Sequence, residues 1–240
     1  MNKRLQLVGV FLGVAGLGFG IAGAVAYAKV QDGYDSLQAF SEQQNVTLSY
    51  NEDGQLTDRG ETAGAEAIMS LLEDDWKYPV VESDLDPNDP LVNTATEYMY
   101  QMATISYHVL HGTQEVVLDE DVTTDSGEVF PAGTYEFDVD GRYWTDFDRA
   151  NPIEAAAREQ AWTGTVHGLV GELGVGTVTH STLQMGLALA ALFAGLGLVL
   201  IATGAGLVWV SRSKGVVIPD TIPEGFVTER IDEKPATAKL

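Results

Sequence analysis

The chain has 240 residues, a formal net charge of −22 and no cysteine. The lack of cysteine excludes thiolate metal sites, thiol nucleophiles and cysteine-ligated iron–sulfur clusters. The strong negative charge argues against binding to nucleic acid or to an anionic lipid surface, because both are themselves negative.

Two long apolar runs bracket the rest of the chain. Residues 5–28 and 183–210 contain no charged side chain, and a helix needs about 20 apolar residues to cross a bilayer core. Basic side chains stand beside the outer end of each run, namely Lys3, Arg4, Arg212 and Lys214. Since basic flanks favour the cytoplasmic side, we expect an integral protein of the plasma membrane with both termini cytoplasmic.

These runs divide the chain into four predicted parts. Residues 1–29 are a cytoplasmic flank and transmembrane helix 1, residues 30–182 an extracytoplasmic domain, residues 183–210 transmembrane helix 2, and residues 211–240 a polar cytoplasmic tail. Residues 29–182 hold 30 acidic and 6 basic side chains, so the negative charge is concentrated there. The alternative for the first run is a signal peptide cleaved after Ala26-Tyr27-Ala28, but such apolar cores are typically about 7–15 residues long.

Small residues recur one helical turn apart in both predicted spans. The first span contains Gly9-x-x-x-Gly13 and Gly16-x-x-x-Gly20, and the second contains Gly186-x-x-x-Ala190, Ala191-x-x-x-Gly195 and Ala202-x-x-x-Gly206. This spacing lets helix backbones approach closely in lipid. We therefore expect the spans to pack against each other or against partner subunits.

The segment between the spans is predicted to be a mixed α/β domain in a protein that is mainly α with a small β component. In chain order, the patterns predict a strand at 46–50, a helix at 57–75, a loop at 78–90 and a helix at 93–111. Short strands follow at 115–118, 128–130 and 134–139, and Asn151-Pro152 predicts the start of another helix. Residues 161–182 are mostly apolar but contain ionisable groups, which predicts an external or interfacial helix leading to the second span.

The candidate metal ligands are His108, His111 and His167. His108 and His111 lie three residues apart on the predicted helix at 93–111, and histidine is a common metal ligand. Met99 and Met102 suggest copper, but at about 100° per residue they point away from both histidines, which disfavours a Met/His site on this helix alone.

The same helix is predicted to have a polar face opposite its core-facing side. That face carries Glu97, Gln101, Thr104, His108 and His111. His167 is the best remote candidate to complete a site, because glycines at 164, 168 and 171 of its own helix permit close packing. A solvated or hydrogen-bonded polar face without metal is the alternative.

An acidic loop offers a second candidate cation site. Asp84-x-Asp86-x-Asn88 resembles the start of a calcium-binding loop. Asp89 and Ala95, however, replace the glycine and glutamate expected at positions 6 and 12. Ordinary acidic turns are therefore favoured over calcium binding.

Two short segments resemble a group of actinobacterial two-span membrane proteins that often carry the misleading label "aromatic ring-opening dioxygenase". The segments are Ile105-Ser106-Tyr107-His108-Val109-Leu110 and Gly133-Thr134-Tyr135-Glu136. They are similar to a His-x-Leu and a Gly-Gly-x-Thr-Tyr segment of that group, although their separation is longer here and Ala132 replaces one glycine. The resemblance implies the same layout of span, external domain and span. It implies no activity. At most, it implies that His108 is functionally important.

No motif of a known reaction is present, such as G-x-S-x-G, H-E-x-x-H or a P-loop. We therefore expect not an enzyme but a non-catalytic accessory or scaffold subunit of a cell-envelope membrane complex, with a membrane oxidase or monooxygenase assembly as one host. Its partners would be the lipid bilayer and other membrane subunits or a second copy, and not nucleic acid. The alternative is an extracytoplasmic metal-binding or metal-delivery protein that uses His108 and His111. No cofactor is expected, except copper, zinc or calcium if the protein binds metal. A membrane-bound hydrolase is the third hypothesis.

Overall fold

The computed structural model describes residues 2–212, so nearly all of the predicted tail at 211–240 lies outside the described residues. This part of the chain is mainly helical with a small sheet component, as the sequence predicts. The helices are α1 (Asn2–Gln44), α2 (Thr62–Ser70), α3 (Ala95–Leu110), α4 (Pro152–Ala161) and α5 (Gly164–Arg212). The strands are β1 (Thr113–Leu118), β2 (Val122–Thr123), β3 (Val129–Phe130) and β4 (Gly133–Asp138). A π-helical turn (Leu71–Asp75) follows α2, and a 3-10 turn (Glu82–Asp84) precedes α3.

Two helices, α1 and α5, are long and apolar enough to cross a membrane. α1 contains the first apolar run and continues to residue 44, whereas α5 begins at residue 164 and contains the second run. At a rise of 1.5 Å per residue, these extensions add about 24 Å and about 28 Å of helix beyond the runs. Neither helix breaks at the predicted domain boundaries. We call residues 29–44 and 164–182 the helical extensions, and residues 45–163 the inserted domain.

Local sequence explains where the extensions end. α1 stops at Gln44 because Asn45 adopts a left-handed conformation with φ of 52°, which asparagine tolerates better than most residues. The N–H of Asn45 donates to the carbonyl of Ser41 at 2.8 Å. α5 begins after Thr163, whose hydroxyl accepts a hydrogen bond from the N–H of Val166 at 3.1 Å and caps the helix.

The chain divides into two compact units, a main unit of residues 18–197 and a terminal unit whose described part is residues 2–17 and 198–212. In the terminal unit, a Cβ placed on Gly9 would lie 2.7 Å from the carbonyl oxygen of Gly204. In the main unit, a Cβ placed on Gly23 would lie 2.9 Å from the backbone nitrogen of Ala194. α1 and α5 therefore approach each other closely at small residues in each unit, as predicted.

Helix α3 is the centre of the inserted domain, since none of its residues is exposed. Its first turn has the reciprocal capping box of Thr94 and Glu97, which explains why the predicted helix at 93–111 is confirmed to within two residues. The hydroxyl of Tyr98 is hydrogen-bonded to that of Ser41 in α1 at 2.7 Å, and a Cβ on Gly176 in α5 would lie 2.7 Å from the Tyr98 ring. One tyrosine thus connects α3 to both helical extensions.

The remaining elements pack either on α3 or on one another. α2 and the π-helical turn pack against it, and β1 pairs antiparallel with β4 from Thr113 opposite Asp138 to Leu118 opposite Gly133. The shorter pair β2–β3 lies between these strands in sequence, and α4 packs against β1 and β4. The most deeply buried apolar side chains of this core are Ile68, Leu72, Ala103, Val116, Val139 and Ala157.

Two predicted elements need correction. Residues 46–50 form isolated bridges at Thr47 and Tyr50 and no strand, because no neighbouring segment runs beside them for more than one residue pair. The helix predicted at 57–75 begins only at Thr62, because Arg59 and Gly60 have positive φ in the turn that precedes it. Its last five residues form the π-helical turn. By contrast, the strands β1, β3 and β4 and the start of α4 at Asn151 lie where the sequence predicts them.

Candidate functional site

His108 is paired with a carboxylate from another segment. Its Nε2 atom lies 3.0 Å from Oδ1 of Asp58, which belongs to the turn before α2, and both side chains are mostly buried. A histidine that ligates a metal usually donates its other ring N–H to a carboxylate in this way. The Nδ1 atom of His108 has no hydrogen-bond partner among residues 2–212. His108 is therefore oriented so that Nδ1 could serve as a ligand.

The other two candidate histidines lie against aromatic rings. The Nδ1 atom of His111 is 2.9 Å from the carbonyl oxygen of Tyr107 in its own helix, and the two rings are 4.2 Å apart. His167 makes an edge contact with Trp144 at 4.9 Å and stacks near Trp162 at 5.9 Å. Both side chains are exposed, and each also contacts an aromatic ring.

The described residues 2–212 contain no group of three or more His, Asp or Glu side chains arranged to hold a metal ion. The structure thus does not bring His108, His111 and His167 together as one three-ligand group in this part of the chain. The metal site proposed from the sequence stays a prediction, with His108 as its best-oriented member.

Carboxylates of the acidic turns are used within the turns themselves. Oδ1 of Asp86 accepts hydrogen bonds from the backbone N–H and the side-chain amide of Asn88, each at 2.8 Å. These bonds stabilise the carboxylate and lower its pKa below the ordinary value. Asp146 and Asp148 likewise accept from backbone N–H groups of neighbouring residues. This geometry is that of ordinary turns, and it supports the hypothesis of ordinary acidic turns over that of a calcium site.

The polar face predicted on α3 is only partly solvated, because His111 is exposed whereas Glu97 is buried. Glu97 is only 1% exposed, and its carboxylate accepts hydrogen bonds from the N–H groups of Asn93 and Thr94 and from the Thr94 hydroxyl. Burial raises the pKa of Glu97, and these three hydrogen bonds offset part of that rise. Glu97 is therefore a capping residue of the core rather than a member of an open ligand face.

Two buried phenols lie near this region of the core. The hydroxyl groups of Tyr50 and Tyr100 have no hydrogen-bond partner among the described residues. Burial, with smaller contributions from Glu97 and Asp86, raises the pKa of Tyr50 to about 12. Burial also raises the pKa of Tyr100. Both phenols are consequently neutral near pH 7 and do not offer phenolate ligands or bases.

The fourth histidine, His180, has a structural role that the sequence did not reveal. Its Nδ1 atom accepts a hydrogen bond from the N–H of Ala95 at 3.1 Å, so a side chain of α5 satisfies one of the free N–H groups at the start of α3. The ring is buried and meets Tyr34 edge-on at 5.7 Å. The partners are 85 residues apart in sequence, and no local pattern predicts such a contact.

One side of the α5 extension packs against no other element within residues 2–212. We call it the open face, and its exposed residues are Gly164, Gly168, Gly171, Val175, Val178 and Thr182. Val175 is 67% exposed and Val178 is 65% exposed, although both precede the apolar run. The alternating spacing of four and three residues is the pattern by which helices pack along a left-handed supercoil.

The open face is also uncharged. Glu172 is the only charged side chain of α5 between residues 164 and 211, and it points about 100° around the helix from Gly171. A Cβ placed on any of the three glycines of the face would meet no atom within 4 Å. The glycines of α5 that contact α3 are Gly174 and Gly176.

Comparisons with protein-family models, with curated proteins and with solved structures found no match to this chain.

Proposed function

We propose that this chain is a non-catalytic accessory or scaffold subunit of a cell-envelope membrane complex. The presence of two helices apolar enough to cross a membrane supports the membrane location. The basic residues outside the apolar runs favour cytoplasmic termini and an extracytoplasmic position for residues 30–182. Membership of the actinobacterial two-span group is part of this proposal, and a membrane oxidase or monooxygenase assembly is one candidate host.

The open face of α5 is the observation that carries the proposal. Contiguous exposed apolar surface on a soluble segment marks sites of association. Here that surface lies on a domain that is otherwise strongly acidic, and it continues in the same spacing into the apolar run at Met185 and Leu189. A partner helix with small and apolar residues could therefore pack along the extension and the span together. The glycines of the open face would allow the backbone of the partner helix to approach α5 closely.

The test is co-purification from native membranes with a C-terminal tag and a mild detergent. We expect a stoichiometric membrane partner with the wild-type protein. Val178→Glu places a charge on the open face and should release that partner, whereas the control Thr165→Glu places the same charge at an exposed position outside it. Recovery of the wild-type protein alone as a monomer would refute the proposal. Equal loss of the partner in both variants would refute the assignment to the open face.

The second candidate function is extracytoplasmic metal binding or delivery, and the orientation of His108 by Asp58 favours it. Metal analysis of the full-length protein tests it directly. We expect bound copper or zinc in the wild type and its loss in His108→Ala, with a smaller loss in His111→Ala. The absence of stoichiometric metal from the wild type, after purification without chelators, would end this alternative.

The proposal includes the absence of enzymatic activity. A serine or threonine nucleophile requires a base within hydrogen-bonding reach. Among residues 2–212 the His108–Asp58 pair has no hydroxyl group hydrogen-bonded to the free ring nitrogen. This arrangement supports a role of Asp58 in orienting His108 rather than a role of the pair in activating the nucleophile of a hydrolase.

A further inference from the structure

An apolar cavity lies where α1, α3 and α5 meet in the main unit. Its volume is about 240 Å³. Apolar side chains from the three helices and two adjoining loops line it, namely Phe40, Val46, Val92, Ile105, Leu169 and Leu173. Protein interiors contain few voids larger than a water molecule, and an apolar cavity of about 150 Å³ already accommodates benzene. A space of this size is therefore suited to an apolar ligand.

A groove between the two helical extensions connects this cavity with the level of the apolar runs. The groove has a volume of about 580 Å³. Phe40 and Glu172 line both the groove and the cavity. At its other end the groove is lined by Gly33 and Thr179, which lie within about 8 Å along the helices from the ends of the apolar runs. The groove thus adjoins the cavity and extends towards the level of the apolar runs, and its walls are partly open to solvent, since Phe40 is 43% and Val175 is 67% exposed.

Polar groups stand beside the apolar lining. The side chains of Gln44, Gln101 and Glu172 line the cavity and make no hydrogen bond to any other described residue. Ligand sites typically combine an apolar lining with a few polar groups that fix orientation. Glu172 is the only carboxylate that lines either space, and its charge disfavours an anionic head group.

The geometry points to a binding site for one hydrocarbon chain of a membrane amphiphile. The chain enters through the groove and occupies the cavity, and its neutral or cationic head group lies beside Glu172 and Gln101. This inference does not rest on the accessory-subunit proposal, although Val175 lines the groove and also belongs to the open face.

Photolabelling of the full-length protein in phosphatidylcholine vesicles tests the site. The probes are hexadecanol and palmitic acid that carry a diazirine near the end of the chain. We expect hexadecanol to label residues 40–46 and 169–173 in addition to the spans. Palmitic acid should label these segments about tenfold less, and Glu172→Gln should remove the difference. Labelling confined to residues 5–28 and 183–210 would overturn the site, and equal labelling by both probes in the wild type would overturn the role of Glu172.

Filling the cavity provides a second test. Ile105→Trp should lower hexadecanol labelling of residues 40–46 and 169–173 by about tenfold. Leu169→Trp lies at the exposed rim and tests the same idea without repacking the core. Val117→Trp, at an exposed position of β1, is the matched control and should leave labelling unchanged. Unchanged labelling in both Ile105→Trp and Leu169→Trp would overturn the inference.

Discussion

Replacing Glu97 by alanine tests how far the inserted domain depends on its buried capping box. One carboxylate oxygen of Glu97 accepts three hydrogen bonds of 2.8–3.0 Å, and two of the donors are the backbone N–H groups of Asn93 and Thr94. Loss of the acceptor costs about 1 kcal/mol net per donor, so the two backbone donors alone give an expected loss of about 2 kcal/mol in the free energy of unfolding. For a chain of this size that corresponds to a fall in Tm of about 4–8 °C.

Tryptophan fluorescence during thermal unfolding in detergent measures this loss. Trp76, Trp144 and Trp162 all lie in the inserted domain and report on its packing. Glu66→Ala is the matched control, because Glu66 is exposed on α2 and makes no side-chain hydrogen bond within the described residues. A loss in Glu97→Ala no larger than that in Glu66→Ala would refute the argument that the buried carboxylate stabilises the start of α3.

Three further predictions concern packing and protonation. Because burial raises the folded-state pKa of Glu97, protonation of its carboxyl group adds stability that is full below the unfolded pKa of about 4.3 and is lost as pH rises through the folded value. Urea unfolding should show this loss in the wild type and not in Glu97→Gln, and parallel curves would contradict it. Tyr98→Phe and Ser41→Ala should each lower the free energy of unfolding by about 1 kcal/mol, because each removes the same hydrogen bond. The double variant should lose no more than either single variant, and additive losses would show that the bond is unimportant. Gly9→Leu should destabilise the protein by about 1–3 kcal/mol through overpacking, and so lower the SDS concentration at which it unfolds. Gly18→Leu should not, because Gly18 has open space around it, and equal effects would contradict the close approach at Gly9.

The sequence predicts the helices well where a local signal marks their ends. Asn151-Pro152 is such a signal, and α4 begins at Pro152 with Asn151 as its cap. The apolar runs, however, identify only the part of a helix that is suited to lipid. The continuation of α1 to Gln44 and the start of α5 at Gly164 are determined by polar residues and caps that hydropathy does not detect.

The candidate site could be predicted only in part, because helical periodicity does not show how many sides of a helix are covered. α3 carries polar groups on one side, which suggests a solvated face, but other segments cover that side as well. Asp58 pairs with His108 across 50 residues, and Ala95 pairs with His180 across 85. Such pairings depend on the assembled topology. The open face of α5 could have been found from its spacing, although its exposure is visible only in the structure.

The continuity of α1 from its apolar run into the helical extension has a rotational consequence. A helix without a break carries a fixed angular phase, so the side of the span that faces lipid or a partner determines the direction in which Ser41 and the Tyr98 contact point. Insertion of one alanine after Lys29 would turn the extension by about 100° relative to the span and raise it by about 1.5 Å. Within the main unit, any partner that binds the apolar residues at 18–28 would therefore also set the rotational orientation of Ser41, because the helix is continuous between them.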